Sequence, residues 1–280
     1  MVRVGVHVSI AGAIGRSVER AQERGCDTFQ IFSRNPRGWA AKDLTPHDTD
    51  LFIRNLQQTE ISPVVDHMPY LPNLSSPDCI LYEKSVSTLQ AELVRCGNLK
   101  IPYLVTHLGH HQGSNGSEGR NRVIRALNTA LSTVDNQTMI LLENTAGERN
   151  SVGNSFSDIR MVLDGIEERE RVGVCLDTCH AFAAGYDFRT ADSVRVTLKE
   201  FASRIGLDLL RLIHLNDSYG LIGSNLDRHE HIGLGQIGEE GFRRFLHHPA
   251  IRDLPLICET PEDERRNDAG NIRKVRELAQ

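Results

Sequence analysis

Short apolar segments that read as strands alternate along this chain with amphipathic stretches that read as helices. The strand-like segments lie at 2–9, 28–32, 63–66, 103–106, 139–142, 172–176, 210–215 and 256–258. Most are runs rich in Val, Ile and Leu, as expected for a parallel sheet covered by helices. Between them, Tyr82, Val86, Leu89 and Leu93 form one stripe. Val123, Leu127, Ala130 and Val134 form a second, and Val194, Leu198, Phe201 and Ile205 a third. Each stripe steps by i, i+4, i+7, i+11, narrow enough to lie on a sheet while the other helix face stays wet. The third helix is expected to start near Thr190 and stop at Gly206. Eight such units in 280 residues predict an α/β chain folded as one (β/α)8 barrel over residues 1–280. The competing architecture, an open doubly wound sheet, lacks its signature here. Gly5, Gly12 and Gly15 do not make the G-x-G-x-x-G spacing after the first strand.

In a parallel barrel all carboxyl ends of the strands share one face, where sites are built. The third segment ends in Asp66-His67, the fourth in Thr106-His107 and the fifth in Leu142-Glu143. The sixth runs into Asp177-Thr-Cys-His180. The seventh ends in His214, with Asp227 and His229 in the loop after it, and the eighth ends in Glu259. Any one of these residues taken alone is a packed histidine or a helix cap. Together they bring four carboxylates and five imidazoles to one bowl, where like-charge repulsion and desolvation oppose them unless cations are present. Imidazole plus carboxylate without thiolate suits zinc, manganese or iron. The set suffices for three ions if one carboxylate bridges. Closely spaced metals are a common device for phosphoryl hydrolysis.

The six cysteines form no CxxC pair and are expected to be free thiols. The amino terminus does not read as a signal peptide, and no apolar run is long enough to span a membrane. A cytoplasmic protein without membrane association is therefore expected. The net charge of −5 argues against a broad basic nucleic-acid surface.

Several segments resemble a known family. His67-Met-Pro-Tyr70-Leu71, Glu143-Asn-Thr-Ala-Gly147, the run from Leu176 to Asp187, His214-Leu-Asn-Asp217 and the run from Gly223 to Gly233 are similar to endonuclease IV. These are zinc-dependent apurinic/apyrimidinic endonucleases (AP endonuclease family 2). The resemblance covers nearly the whole chain. It implies a TIM barrel with a trinuclear zinc site at the carboxyl ends of the strands, manganese being an acceptable substitute. One ion is implied at His67, His107 and Glu143, a second at Glu143, Asp177, His214 and Glu259, and a third at His180, Asp227 and His229. The implied reaction is hydrolysis of the phosphodiester 5′ to an abasic site in duplex DNA by a metal-activated hydroxide, leaving a 3′-hydroxyl. Trimming of blocked 3′ ends is implied as well. Glu143 and Glu259 are the expected catalytic carboxylates, Glu143 by bridging two ions, and the protein is expected to act as a monomer in DNA repair. Arg37, Tyr70 and Leu71 are the expected DNA contacts, with Tyr70 and Leu71 wedging into the duplex at the lesion. Trp39 reads equally well as a wedge or a packed ring.

The chain departs from the family pattern at Gly38, where relatives commonly carry Gln, and at Glu148-Arg149-Asn150, where they continue Gln-Gly. Arg149 reads as a solvated loop charge. His7 reads as a neighbour of the ligands, and His110, His111, His231, His247 and His248 stand outside the ligand set. Three Zn2+ would raise the formal charge from −5 to +1 and place positive charge where a phosphate must sit.

Two other readings compete. A sugar isomerase or epimerase on a similar barrel would hold one manganese or cobalt ion with Glu143, Asp177, His214 and Glu259. It has little use for all of the remaining five, His67, His107, His180, Asp227 and His229. A non-catalytic DNA-binding protein lacks any helix-turn-helix, finger or RNP motif to support it.

Overall fold

The computed structural model describes residues 2–280, so Met1, the first residue of the expected domain, lies outside the described residues. The strands are β1 (Arg3–Val6), β2 (Phe29–Ile31), β3 (Val64–His67), β4 (Tyr103–His107), β5 (Met139–Glu143), β6 (Val172–Asp177) and β7 (Leu210–His214). A small antiparallel hairpin, β8 (Asp217–Ser218) and β9 (His229–Glu230), precedes the last barrel strand, β10 (Pro255–Cys258). The barrel sheet has eight strands in the order β1-β10-β7-β6-β5-β4-β3-β2, and every pair in it is parallel. Its open side closes where His7 bridges Gln30 and the Val8 N–H donates to the Gln30 carbonyl at 2.8 Å.

All eight expected strands are present. β3, β4, β5 and β6 each run one residue further than their apolar segments, taking in His67, His107, Glu143 and Asp177. The polar residue at each end still shares the ladder: His107 pairs with Glu143, and Asp177 with His214. β1 is shorter than the expected 2–9, because beyond Val6 only His7 has a bridge partner.

The helices are α1 (Arg16–Arg24), α2 (Pro46–Gln57), α3 (Cys79–Leu99), α4 (Gly116–Thr133), α5 (Phe156–Asp164), α6 (Thr178–Ala183), α7 (Ala191–Arg204), α8 (Gly238–Leu246) and α9 (Asp268–Leu278). Side-chain caps set several starts. Thr45 and Asp48 form a capping box ahead of α2, Asp78 accepts from the Leu81 N–H at 2.8 Å, and Thr190 caps α7. The three expected stripes lie on α3, α4 and α7. They face the sheet with their central residues buried, among them Leu89, Leu93, Leu127 and Phe201.

The core has two layers. The outer one lies between strands and helices. The inner one fills the barrel with Val65, Val105, Leu141, Cys175, Leu212 and Ile257. Truncating such a buried aliphatic residue to Ala costs about 2–5 kcal/mol. All six cysteines are free, and all but Cys79 are buried. The inner layer also fixes the site. Side chains alternate along a strand, so the residue two positions beyond an inward one also points inward. Two positions beyond the six inner residues stand His67, His107, Glu143, Asp177, His214 and Glu259.

Candidate metal centre

These six side chains form a ring on top of the apolar plug. His67 Nε2 and His107 Nε2 approach Glu143 Oε2 at 3.2 and 2.9 Å. The other Glu143 oxygen lies 2.9 Å from His214 Nδ1, which is also 3.3 Å from Glu259 Oε2. Two further elements bring in the remaining residues. Asp177 caps α6, accepting from the His180 N–H at 2.7 Å, and so holds His180 at the first turn of that helix. The β8–β9 hairpin carries His229, with Asp227 just before it. Asp227 Oδ1 is 3.1 Å from His180 Nε2 and 3.5 Å from His229 Nε2.

Donor atoms gather in three groups, each with its atoms within 4.8 Å of one another: His67, His107 and Glu143; Glu143, Asp177, His214 and Glu259; and His180, Asp227 and His229. A fourth grouping, Asp177, Cys179 and His229, would add a buried thiol. Burial pushes that thiol up to about 12, out of the thiolate range. His110, His111 and His231 enter none of the groups. His231 is buried between Asp263, 3.0 Å from its Nε2, and Asn271, which faces its Nδ1.

The hydrogen bonds around the imidazoles fit bound cations. His67 Nδ1–H donates to the Met68 carbonyl (2.7 Å), His180 Nδ1–H to the Asn144 carbonyl (3.0 Å) and His229 Nδ1–H to the Glu259 carbonyl (3.0 Å). His214 Nε2–H donates to Gln30 Oε1 (2.9 Å). With the outer nitrogen protonated, each ring turns a lone pair inward. His180 Nε2 and His229 Nε2 then face each other at 3.4 Å without a proton between them unless one ring is charged. Burial opposes charging throughout. Nevertheless acidic neighbours raise His180 and His214 well above the usual imidazole range, Asp177 leading for His180, and the Cys175 side chain followed by Glu259 and Glu143 for His214. The same attraction draws Asp227 and Glu259 down to about 2 against their burial. The site therefore demands positive charge, and divalent ions meet that demand without protonating the rings.

Three buried amides hold the ring and escape sequence reading. Gln30 Nε2 donates to Glu259 Oε1 at 2.7 Å and also reaches His7 Nδ1 at 3.1 Å. Asn216 Nδ2 donates to Asp177 Oδ2 at 2.7 Å, while its Oδ1 accepts from the Glu259 N–H at 2.7 Å. Asn144 pairs with the Asp177 backbone through both ends of its amide, at 2.8 and 3.0 Å. The inward alternation of β2 would have marked Gln30 as a member of the ring.

Beside the ring, a cavity of 360 Å³ opens past Phe32 and Tyr70. Tyr70 is 63% exposed and Leu71 37%. The Tyr70 N–H donates to the Pro36 carbonyl at 3.1 Å, which ties this loop to the exposed Arg37. Trp39 is half-buried under Lys84, whose Nζ lies 4.7 Å from the ring centroid. Arg149 is exposed.

A family profile described as a xylose isomerase-like TIM barrel, that of AP endonuclease family 2, matches residues 18–279. A protein of Methanoculleus marisnigri named "Probable endonuclease 4" is 61% identical over 280 residues, covering all of this chain and 99% of its own length. The chain belongs to the endonuclease IV family. Its likeness to other endonuclease IV proteins extends to structure. Endonuclease IV from Thermus thermophilus superposes with a TM-score of 0.87 at 35% identity, covering 99% of this chain and 98% of that one. A D-tagatose 3-epimerase-like protein superposes with a TM-score of 0.73 at 19% identity, which shows a shared barrel and nothing more. Endonuclease IV proteins are metal-dependent, in keeping with the clustered donors.

Proposed function

We propose that this chain is a DNA-repair phosphodiesterase. It cleaves the bond 5′ to an abasic site in duplex DNA, leaves a 3′-hydroxyl and trims blocked 3′ ends. The observation that carries the reading is the group His180, Asp227 and His229, standing beside the other two groups at one barrel mouth. A one-metal epimerase needs only Glu143, Asp177, His214 and Glu259, and has no use for two further groups of donors.

Three zinc ions, one per group, are the proposed complement, with Glu143 shared between two of them. Bound there, they would supply positive charge for the phosphoryl group and lower the pKa of water. The protein's own groups do the positioning. Glu143 presents one oxygen to each side of the ring, and Glu259 is held by Gln30 and Asn216. Four of the imidazoles, His67, His180, His214 and His229, are fixed in one tautomer by acceptors behind them. At the rim, Tyr70 and Leu71 offer large exposed apolar side chains beside the cavity, and Arg37 offers a cation for a backbone phosphate. Extruding a nucleotide costs least where base pairing is already lost, so a wedge at this position selects abasic DNA.

The deciding experiment is incision of a duplex with one abasic site, with and without chelator, together with a metal count. Chelator-sensitive incision 5′ to the lesion and about three zinc ions per chain are expected. A single divalent ion per chain and no incision would return the epimerase reading. Replacing Tyr70 and Leu71 by Ala should erode discrimination between abasic and intact duplex.

A further inference from the structure

The loop after β2 carries Arg37 and Trp39, yet its strongest anchorage lies away from the metal ring, on the side facing α3. Ser33 is its first fixed point. Its N–H donates to Asp66 Oδ1 at 2.9 Å, and its hydroxyl donates to Glu92 Oε2 at 2.5 Å. Arg34 is the second. This guanidinium is almost fully buried, donating from Nη1 to Glu92 Oε1 at 3.3 Å and from Nη2 to the Trp39 carbonyl. Arg95, one turn beyond Glu92 on α3, donates to the Ser33 hydroxyl at 2.8 Å, to the Ser33 carbonyl and to the Lys42 carbonyl at 3.0 Å. Glu92 has no exposed surface. A buried carboxylate and a buried guanidinium are costly to desolvate, and neither belongs to the ring of donors. Glu92 also lies against Asp66 of β3, whose Oδ1 accepts from both the Ser33 and the His67 N–H.

We propose that Arg34 and Glu92 are positioning residues for the β2–α2 loop. They would brace residues 33–39 against α3 so that Arg37 and Trp39 stand in their DNA-meeting arrangement before DNA arrives. The inference rests on the DNA-cleaving reading above. It assigns a job to an ion pair outside the metal centre: the strut lowers the ordering cost of binding and leaves the chemistry of the ring alone. Arg34 spans the loop internally, from the carbonyl of Trp39 to Glu92, so its loss frees the far end of the loop. Ser33 would still be held at the near end.

Arg34→Met keeps most of the apolar stem and removes both hydrogen bonds. Three measurements on the zinc-loaded protein test the idea. They are KM and kcat on an abasic-site duplex, hydrolysis of bis(4-nitrophenyl) phosphate, and acrylamide quenching of Trp39, the single tryptophan. The expected result is a rise in KM of about tenfold, with kcat and small-diester hydrolysis changed less than about twofold. Trp39 quenching should rise, and Arg34→Lys should restore part of both effects. Unchanged KM and quenching in a folded Arg34→Met protein would overturn the proposal. So would a parallel fall in small-diester and duplex cleavage, which would place the strut's effect at the metal ring. If Arg34→Met does not fold, Ser33→Ala removes a single hydroxyl from the same brace and is judged by the same outcomes. If the parent protein fails to incise abasic DNA, the functional reading falls, and Trp39 quenching alone then decides whether the strut holds the loop.

Discussion

Glu143 is the residue on which the ring depends most, because its two oxygens face different imidazoles. Glu143→Gln keeps the shape but replaces one oxygen with a donor that faces inward lone pairs. The variant should fold, lose metal at two of the three groups and lose incision; atomic absorption and a gel assay read both. Gln30 offers a subtler test. It holds Glu259 and sets the tautomer of His214, so Gln30→Ala should weaken metal binding about 10–100-fold, measured by chelator competition. Native-like affinity in that variant would remove Gln30 from the site. The difference between the two residues shows what the sequence makes legible. Glu143 stands out because a carboxylate ending an apolar strand needs explaining. A neutral amide such as Asn144 or Asn216 breaks no pattern and is recognised only once its partners are in place; for Gln30 the inward position on β2 is the one available signal.

Among the elements, the barrel strands are readable because their apolar runs match their buried length, and six of the nine proposed metal-binding residues are readable because they end those runs. The β8–β9 hairpin is not. Its strands are two residues each, too short for a periodicity, and its organiser is Asp217. That buried carboxylate accepts from the N–H groups of Ser218, Gly233, Gly235, Ile237 and Gly238. Backbone partners leave no trace in side-chain patterns. Asp217→Ala strands these donors and should cost about 3 kcal/mol in a denaturation experiment. Because the hairpin delivers His229 and borders Asp227, the third metal group should be lost first. The start of α2 gives a pH-dependent counterpart. Asp48 is held below its ordinary value of 3.8 by the Thr45 hydroxyl and N–H. A depressed carboxyl stabilises only while ionised, so the cap should be intact above that value and weaken as pH falls below it. Protection of the first-turn amides of α2, relative to their unprotected exchange rate at each pH, should fall as pH drops below 3.8.

At the scale of the whole molecule, net charge and binding mode belong together. The chain carries −5 and still has to meet a polyanion. The candidate metal centre gathers four of its carboxylates where bound cations would neutralise them, and in the proposed reading the rim arginine and aromatic groups face the duplex. Chelation should therefore act twice. It should lower Tm by roughly 5–10 °C, since ions that bind only the folded state stabilise it by mass action. It should also weaken binding to abasic duplex even where no cleavage is possible. The salt dependence of binding by the metal-loaded protein should be shallow, with a log–log slope no steeper than about −5. A steeper slope would point to many lysine and arginine contacts on phosphates and away from a metal-centred mode.

The apolar plug of Val65, Val105, Leu141, Cys175, Leu212 and Ile257 makes the barrel a cup with a sealed floor. Nothing reaches the ring from below, so traffic to it is one-way in and the same way out. A duplex laid across the rim, as proposed above, would close that single doorway. The water for hydrolysis would then have to enter the cup before the duplex covers it.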